Sequence, residues 1–133
     1  MVTAIKVTSG AIATVLEEAA RAAPAEACGL LLGQGGIIAE ARPAANIAAD
    51  PLRHFEIDPA ALFAAHRAER VGGAQLLGYY HSHPNGHPLP SATDCDHASG
   101  DNRIWAIAAG GAVTFWRDGK STFEALSYDL VEG

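Results

Sequence analysis

At 133 residues with 49% hydrophobic side chains, the chain has material for one packed core, a single domain over residues 1–133, without the composition of a disordered segment. A net charge of −6 and nine scattered basic residues argue against a nucleic-acid partner. No run approaches the length of a membrane span and Met1 to Thr8 lacks the apolar stretch of a signal peptide, so a cytoplasmic protein is expected, with no membrane partner.

In chain order, Ile5 to Val7 reads as a short first strand, and Ser9 as the N-cap of a helix whose apolar positions are Ile12, Val15, Leu16, Ala19, Ala20 and Ala23. Pro24 limits that helix. Ala27 to Gly33 is a continuous apolar run and predicts a central strand buried on both faces, with Gln34-Gly35-Gly36 turning into Ile37 to Arg42. Pro43 to Arg53 reads as a loop and Phe55 to Ile57 as a brief strand. Asp58-Pro59 then starts a second helix that buries Ala61, Leu62, Ala65 and Ala68 and ends at Gly72-Gly73. Leu76 to Tyr80 predicts another buried strand, which continues into His81-Ser82-His83 and is closed by Pro84 and the turn dipeptide Asn85-Gly86. A short third helix runs from about Ser91 to His97. Ile104 to Ala109, Ala112 to Trp116 and Phe123 to Ser127 form an antiparallel meander, with Trp105, Phe115 and Trp116 as core aromatics. The class is α/β, a mixed sheet flanked by helices.

The chemistry concentrates between His81 and Asp94. Side chains two apart on a strand share a face, so His81 and His83 aim at one point while Ser82 turns away. Ser91-x-x-Asp94 opens a helix beside that strand end and returns a carboxylate to the two imidazoles. Taken singly, Ser91 and Asp94 also read as an ordinary capping box and each histidine as a structural residue. Together they make a nitrogen and oxygen donor set suited to one zinc ion, with the fourth position open, as in catalytic sites. A carboxylate is needed there as a base, and chain position alone leaves Glu26, Glu40, Glu56 and Asp96 as candidates. Cys28 and Cys95 have no C-x-x-C spacing and read as free thiols; Cys95, next to Asp94 on the helix, points about 100° away from it. His87, in the loop between the ligands, reads as a bystander, and His54, His66 and His97 as surface residues. The H-E-x-x-H helix of common zinc proteases and the H-x-E with P-C-x-x-C signature of zinc deaminases are both absent.

Ala25-Glu26-Ala27-Cys28-Gly29-Leu30-Leu31-Leu32-Gly33, taken with His81-Ser82-His83-Pro84 and Ser91-Ala92-Thr93-Asp94, resembles the JAMM motif of the MPN (Mov34/MPN/PAD-1) zinc metalloproteases: Glu, then His-x-His-Pro, six residues, Ser, two residues, Asp. The resemblance spans essentially the whole chain and implies a JAB1/MPN-like fold of the cytidine-deaminase-like type. It implies that His81, His83 and Asp94 bind zinc, that Glu26 is the general base and that Ser91 stabilises the oxyanion. The length and the Glu-x-Cys-Gly-Leu-Leu run are those of compact bacterial-type members, which implies hydrolysis of a peptide or isopeptide bond after the terminal glycine of a ubiquitin-like sulfur-carrier protein or its cysteine adduct. Two other family readings stand beside it, a non-catalytic MPN scaffold and a RadC-like protein. The intact motif weighs against the first, and the Glu26 to Gly33 run against the second.

Overall fold

The structure, a computed structural model, describes residues 4–84 and 86–133; Asn85 of the expected Asn85-Gly86 turn and Met1 to Thr3 lie outside them. The elements are β1 (Ile5–Thr8), α1 (Ser9–Ala22), β2 (Cys28–Gln34), β3 (Ile37–Ala44), α2 (Pro59–Arg70), β4 (Gln75–Ser82), α3 (Ala92–His97), β5 (Ile104–Ala109), β6 (Ala112–Asp118), β7 (Phe123–Leu126) and β8 (Tyr128–Val131). The strands form one mixed sheet in the order β7-β6-β5-β4-β2-β3-β1-β8. Pairings β1–β3, β1–β8 and β4–β5 are parallel and the others antiparallel. β7 and β8 stand at opposite ends of that order, yet only Ser127 separates them in the chain, so the sheet must roll until its ends meet. The Ile5 N–H donates to the Ser127 carbonyl at 3.0 Å across that junction.

Alternation along β2 divides the interior into two packed regions. Leu31 faces one way, toward Val15 of α1 together with Val7, Ile38, Tyr80 and Phe115. Leu30 and Leu32 face the other way, toward Ala65 of α2 with Ile57 and Leu76. A strand buried on both faces is what its unbroken apolar run requires. The turn after it has Gly35 and Gly36 both at positive φ, the conformation a two-residue hairpin needs.

β4 is not regular. Leu31 pairs with Gly78 but Leu32 pairs with Leu76, so Leu77 is an extra residue that bulges from the ladder. Leu76 lies on the α2 side, Leu77 on the α1 side, and after the bulge Tyr79 is on the α2 side and Tyr80 on the α1 side. Without the extra residue the parity would be reversed, and His81 would point to the opposite face.

Several expectations need correction. The N-cap of α1 is Thr8, whose hydroxyl oxygen accepts the Ala11 N–H at 3.1 Å and whose proton goes to the Ala39 carbonyl; Ser9 is already helical. The helix buries Ala11 and Val15 and packs Ile12, Leu16, Ala19 and Ala22, leaving Ala20 and Ala23 exposed. β3 continues through Pro43, because beyond Ile38 it has no β1 partner and Pro is tolerated on such an edge. Phe55 to Ile57 is not a strand but a single bridge from Ile57 to Asn46. β8 was not expected: its residues are mostly exposed, and the backbone ladder with β1 holds it. No helix among the described residues is long and apolar enough to cross a membrane.

A side chain at Gly78 would collide with the Ile104 carbonyl on β5. Gly78→Ala is therefore expected to lower stability by about 1–3 kcal/mol through overpacking, read as a reduced urea midpoint; an unchanged midpoint would mean that β4 and β5 can part without loss.

Candidate metal centre

The end of β4 and the start of α3 converge on one point. His81 Nε2 and His83 Nε2 are 3.0 Å apart, and Asp94 Oδ2 is 3.1 Å from each. His81 is the last residue but one of β4. His83 lies just beyond the strand but stays extended, because its N–H donates to the Ala108 carbonyl of β5 at 2.8 Å. Ser82 turns the other way, and its Oγ accepts the Ala27 N–H at 2.8 Å. Asp94 is held by a reciprocal capping box, in which Ser91 N–H donates to Asp94 Oδ2 at 2.9 Å and Asp94 N–H donates to Ser91 Oγ at 3.0 Å. The chain leaving α3 is pinned in turn by buried Asp118, which accepts the N–H groups of Ser99 and Gly100.

The donors fit a small divalent cation. A tetrahedral zinc with bonds of about 2.0–2.1 Å spaces its donors about 3.3 Å apart, within a few tenths of an ångström of the triangle here. His83 Nδ1 lies 2.8 Å from the His87 carbonyl, which assigns the proton to Nδ1 and leaves the Nε2 lone pair facing the centre. His87 thus contributes through its backbone, a role its side chain gave no reason to expect. His81 Nδ1 is buried with no partner among the described residues. Its ring is held by aromatic contacts instead: Phe55 stacks on its face at 4.2 Å and 15°, and Trp105 meets it edge-on at 5.5 Å. Trp105 is therefore more than a core residue.

Burial shapes the charges. It pushes the His81 imidazole down, against the pull of Asp94. Burial also works to lower His83, but the hydrogen bonds to Asp94 and the His87 carbonyl win and raise it. Burial would raise Asp94, yet the bonds from His81, His83 and the Ser91 N–H hold its carboxyl well below the usual range. Of the four carboxylates open in the sequence, only Glu26 is at the site. It is 7% exposed, and its donor lies within 4.8 Å of those of both histidines. Glu40, Glu56 and Asp96 are exposed, Glu40 being paired with Arg42. Glu26, His81 and His83 are thus close enough to hold a metal ion between them, while the two histidines and Asp94 form the tighter triangle. Burial, with the charge of Asp94 adding to it and His83 opposing, raises the Glu26 carboxyl from 4.5 to about 7.

Glu26, His83 and Ser91 open on a cleft of about 510 Å³ whose lips carry Leu52, Arg53 and Leu89. Cys28 is buried and pushed up to about 11, and Cys95 is exposed; both are free thiols. His66 and His97 are at the surface, whereas His54 is half-buried, its backbone carbonyl tied to Asn46.

The chain is 38% identical over 95 residues to the protein named Desampylase of Haloferax volcanii, an alignment covering 70% of this chain and 68% of that one. It is 36% identical over 103 residues to "Probable TtuB-protein conjugate cleaving protease" of Thermus thermophilus, covering 77% of this chain and 64% of the other. The chain thus spans about two thirds of the length of these relatives. A solution structure of a protein from Desulfitobacterium hafniense superposes with a TM-score of 0.82 at 29% identity, over 97% of this chain and 94% of that one. Residues 8–119 match the family described as prokaryotic homologs of the JAB domain, and the chain belongs to that family.

Proposed function

We propose that the protein is a zinc-dependent peptidase or isopeptidase that cleaves the amide bond after the terminal glycine of a ubiquitin-like sulfur-carrier protein, in a conjugate or a cysteine adduct. The observation that carries the reading is the triangle of His81, His83 and Asp94 donors with Glu26 beside it at the back of an open cleft. The substrate class draws its support from the two relatives, one named a desampylase and the other a protease cleaving protein conjugates.

His81, His83 and Asp94 would hold one zinc ion. When bound, zinc supplies Lewis acidity toward water and toward the carbonyl oxygen. Glu26 accepts a proton from the attacking water at its carboxylate and delivers it to the departing amine, a transfer worth typically 10²–10⁴-fold in rate. A base whose affinity for protons sits near neutrality is suited to both halves of that transfer. Ser91 Oγ already accepts the Asp94 N–H, so its own hydrogen is free for the oxygen that becomes negative as the carbonyl is attacked. The imidazole of His83 is kept in one tautomer by His87, and the sealed position of His81 keeps water from competing at its Nε2.

The test is hydrolysis of a carrier protein extended past its terminal glycine, with zinc measured on the same samples. Wild type is expected to bind zinc and to cleave, losing cleavage on chelation and regaining it with zinc. Glu26→Gln should keep the metal and lose activity by at least about a hundredfold. Asp94→Ala should lose both. A zinc-loaded wild type that cleaves no such carrier would remove the substrate assignment.

Glu26 also predicts a pH effect in the metal-free protein. Its folded pKa of about 7 lies above the unfolded 4.5, so its contribution to stability is full below pH 4.5 and is lost as the pH rises through 7. Glu26→Gln removes that loss. In the absence of metal the variant should be more stable than wild type at pH 8 by about 1–2 kcal/mol, after discounting for solvent in the cleft, and no more stable at pH 4. Parallel unfolding curves at both pH values decide it.

A further inference from the structure

The segment between β3 and α2 has little regular structure, yet it reaches the candidate centre at two separate places. Asn46 uses its whole hydrogen-bonding capacity there. Its Nδ2 donates to the Glu26 carbonyl and the His54 carbonyl, both at 3.0 Å, and its Oδ1 accepts the N–H groups of Ala48 at 3.0 Å and Glu56 at 3.1 Å. The Glu26 N–H donates to the Pro51 carbonyl at 2.8 Å, and the next N–H, of Ala27, donates to Ser82 Oγ. The backbone of Glu26 is therefore fixed on both sides by this segment. Nine residues after Asn46, Phe55 lies flat on the ring of His81, whose Nδ1 has no polar partner among the described residues.

We infer that residues 45–57 are a strap that sets the geometry of the centre, with Asn46 positioning Glu26 and Phe55 positioning His81. The inference rests on the reading of His81 as a metal ligand and Glu26 as the base. A ligating histidine is usually oriented by a hydrogen bond from its second ring nitrogen, and loss of such a partner typically costs 10–100-fold in metal affinity or activity. Here the aromatic face takes over that task, because stacking fixes the plane of an imidazole that a hydrogen bond does not reach. Asn46 holds the backbone of Glu26, read as the base, and Phe55 holds the ring of His81, read as a ligand, so the two positions have separable consequences.

Two variants keep bulk in the strap while removing the Nδ2 bonds of Asn46 or the ring of Phe55. Asn46→Asp is isosteric and retains the acceptor for Ala48 and Glu56, but cannot donate to the Glu26 carbonyl or to the His54 carbonyl. Phe55→Leu keeps an apolar side chain but has no flat face. Zinc affinity is read by competition with a chromophoric chelator, kcat and KM on the extended carrier protein, and Tm on the metal-free proteins. Asn46→Asp is expected to bind zinc within about twofold of wild type while kcat falls at least tenfold, and Phe55→Leu to weaken zinc binding at least tenfold. Both variants matching wild type in zinc affinity and kcat would overturn the inference. So would losses of zinc affinity and kcat that are the same in both variants and track the fall in Tm, since that is the signature of general loosening. A wild type that binds no zinc would instead defeat the underlying reading of the centre.

Discussion

Two imidazole nitrogens and a carboxylate oxygen held 3.0–3.1 Å apart, with His81 fully buried and Asp94 4% exposed, are electron-rich atoms crowded where water cannot screen them. Such a cluster is costly unless a proton or a cation sits among its members. The surrounding architecture is what makes the crowding tolerable. β4 is flanked by β2 and β5, so the strand that carries His81 cannot relax sideways. The capping box ties Asp94 to Ser91, the N-cap of α3, and Asp118 fastens the chain leaving that helix. Each donor is thus placed by backbone held elsewhere, and the repulsion is available to bind a positive charge.

The centre is closed behind and open in front. Phe55 and Trp105 seal the back of His81, while Glu26, His83 and Ser91 face a cleft whose lips include the exposed side chains of Leu52 and Leu89. Burial raises the proton affinity of Glu26, because a carboxylate partly removed from water is harder to ionise, while the cleft leaves one side of it open.

Much of this was legible in the residues and some was not. The His-x-His spacing, the proline after it and the Ser-x-x-Asp start of α3 are local patterns, and local patterns translate directly into geometry. The same holds for the Gly35-Gly36 turn and for Asp58 as the N-cap of α2. What escaped depends on contacts between distant parts of the chain. β8 is four mostly exposed residues, too short to carry a pattern of its own, and the ladder with β1 holds it. Phe55 to Ile57 has strand-like composition, but the partner beside it is Asn46, whose side chain takes up the bonds of that segment. Thr8 displaced Ser9 as a cap because its hydroxyl also reaches Ala39, thirty-one positions away. The carbonyl of His87 and the stacking of Phe55 are invisible in principle to a reading of side-chain types, since one is backbone and the other is a matter of orientation.

The bulge at Leu77 carries the largest consequence. An apolar run from Leu76 to Tyr80 looks the same with or without an extra residue in the ladder, because both faces of the strand are buried and neither parity is penalised by composition. Yet the antiparallel register that follows the bulge places Cys28 opposite His81, and the Ser82 N–H bonds to the Ala27 carbonyl one step further along. Continuing that register brings Glu26 beside His83, and so joins two motifs that are more than fifty positions apart. A slip of one residue would present Ala25 or Ala27 in its place and turn the carboxylate to the wrong side. Gly29 guards against the slip, since the ring of Tyr80 lies where any β-carbon at that position would project. The glycine inside the apolar run and the tyrosine before the histidines are therefore a register lock, and the lock sets a carboxylate just ahead of β2 beside the histidines at the end of β4.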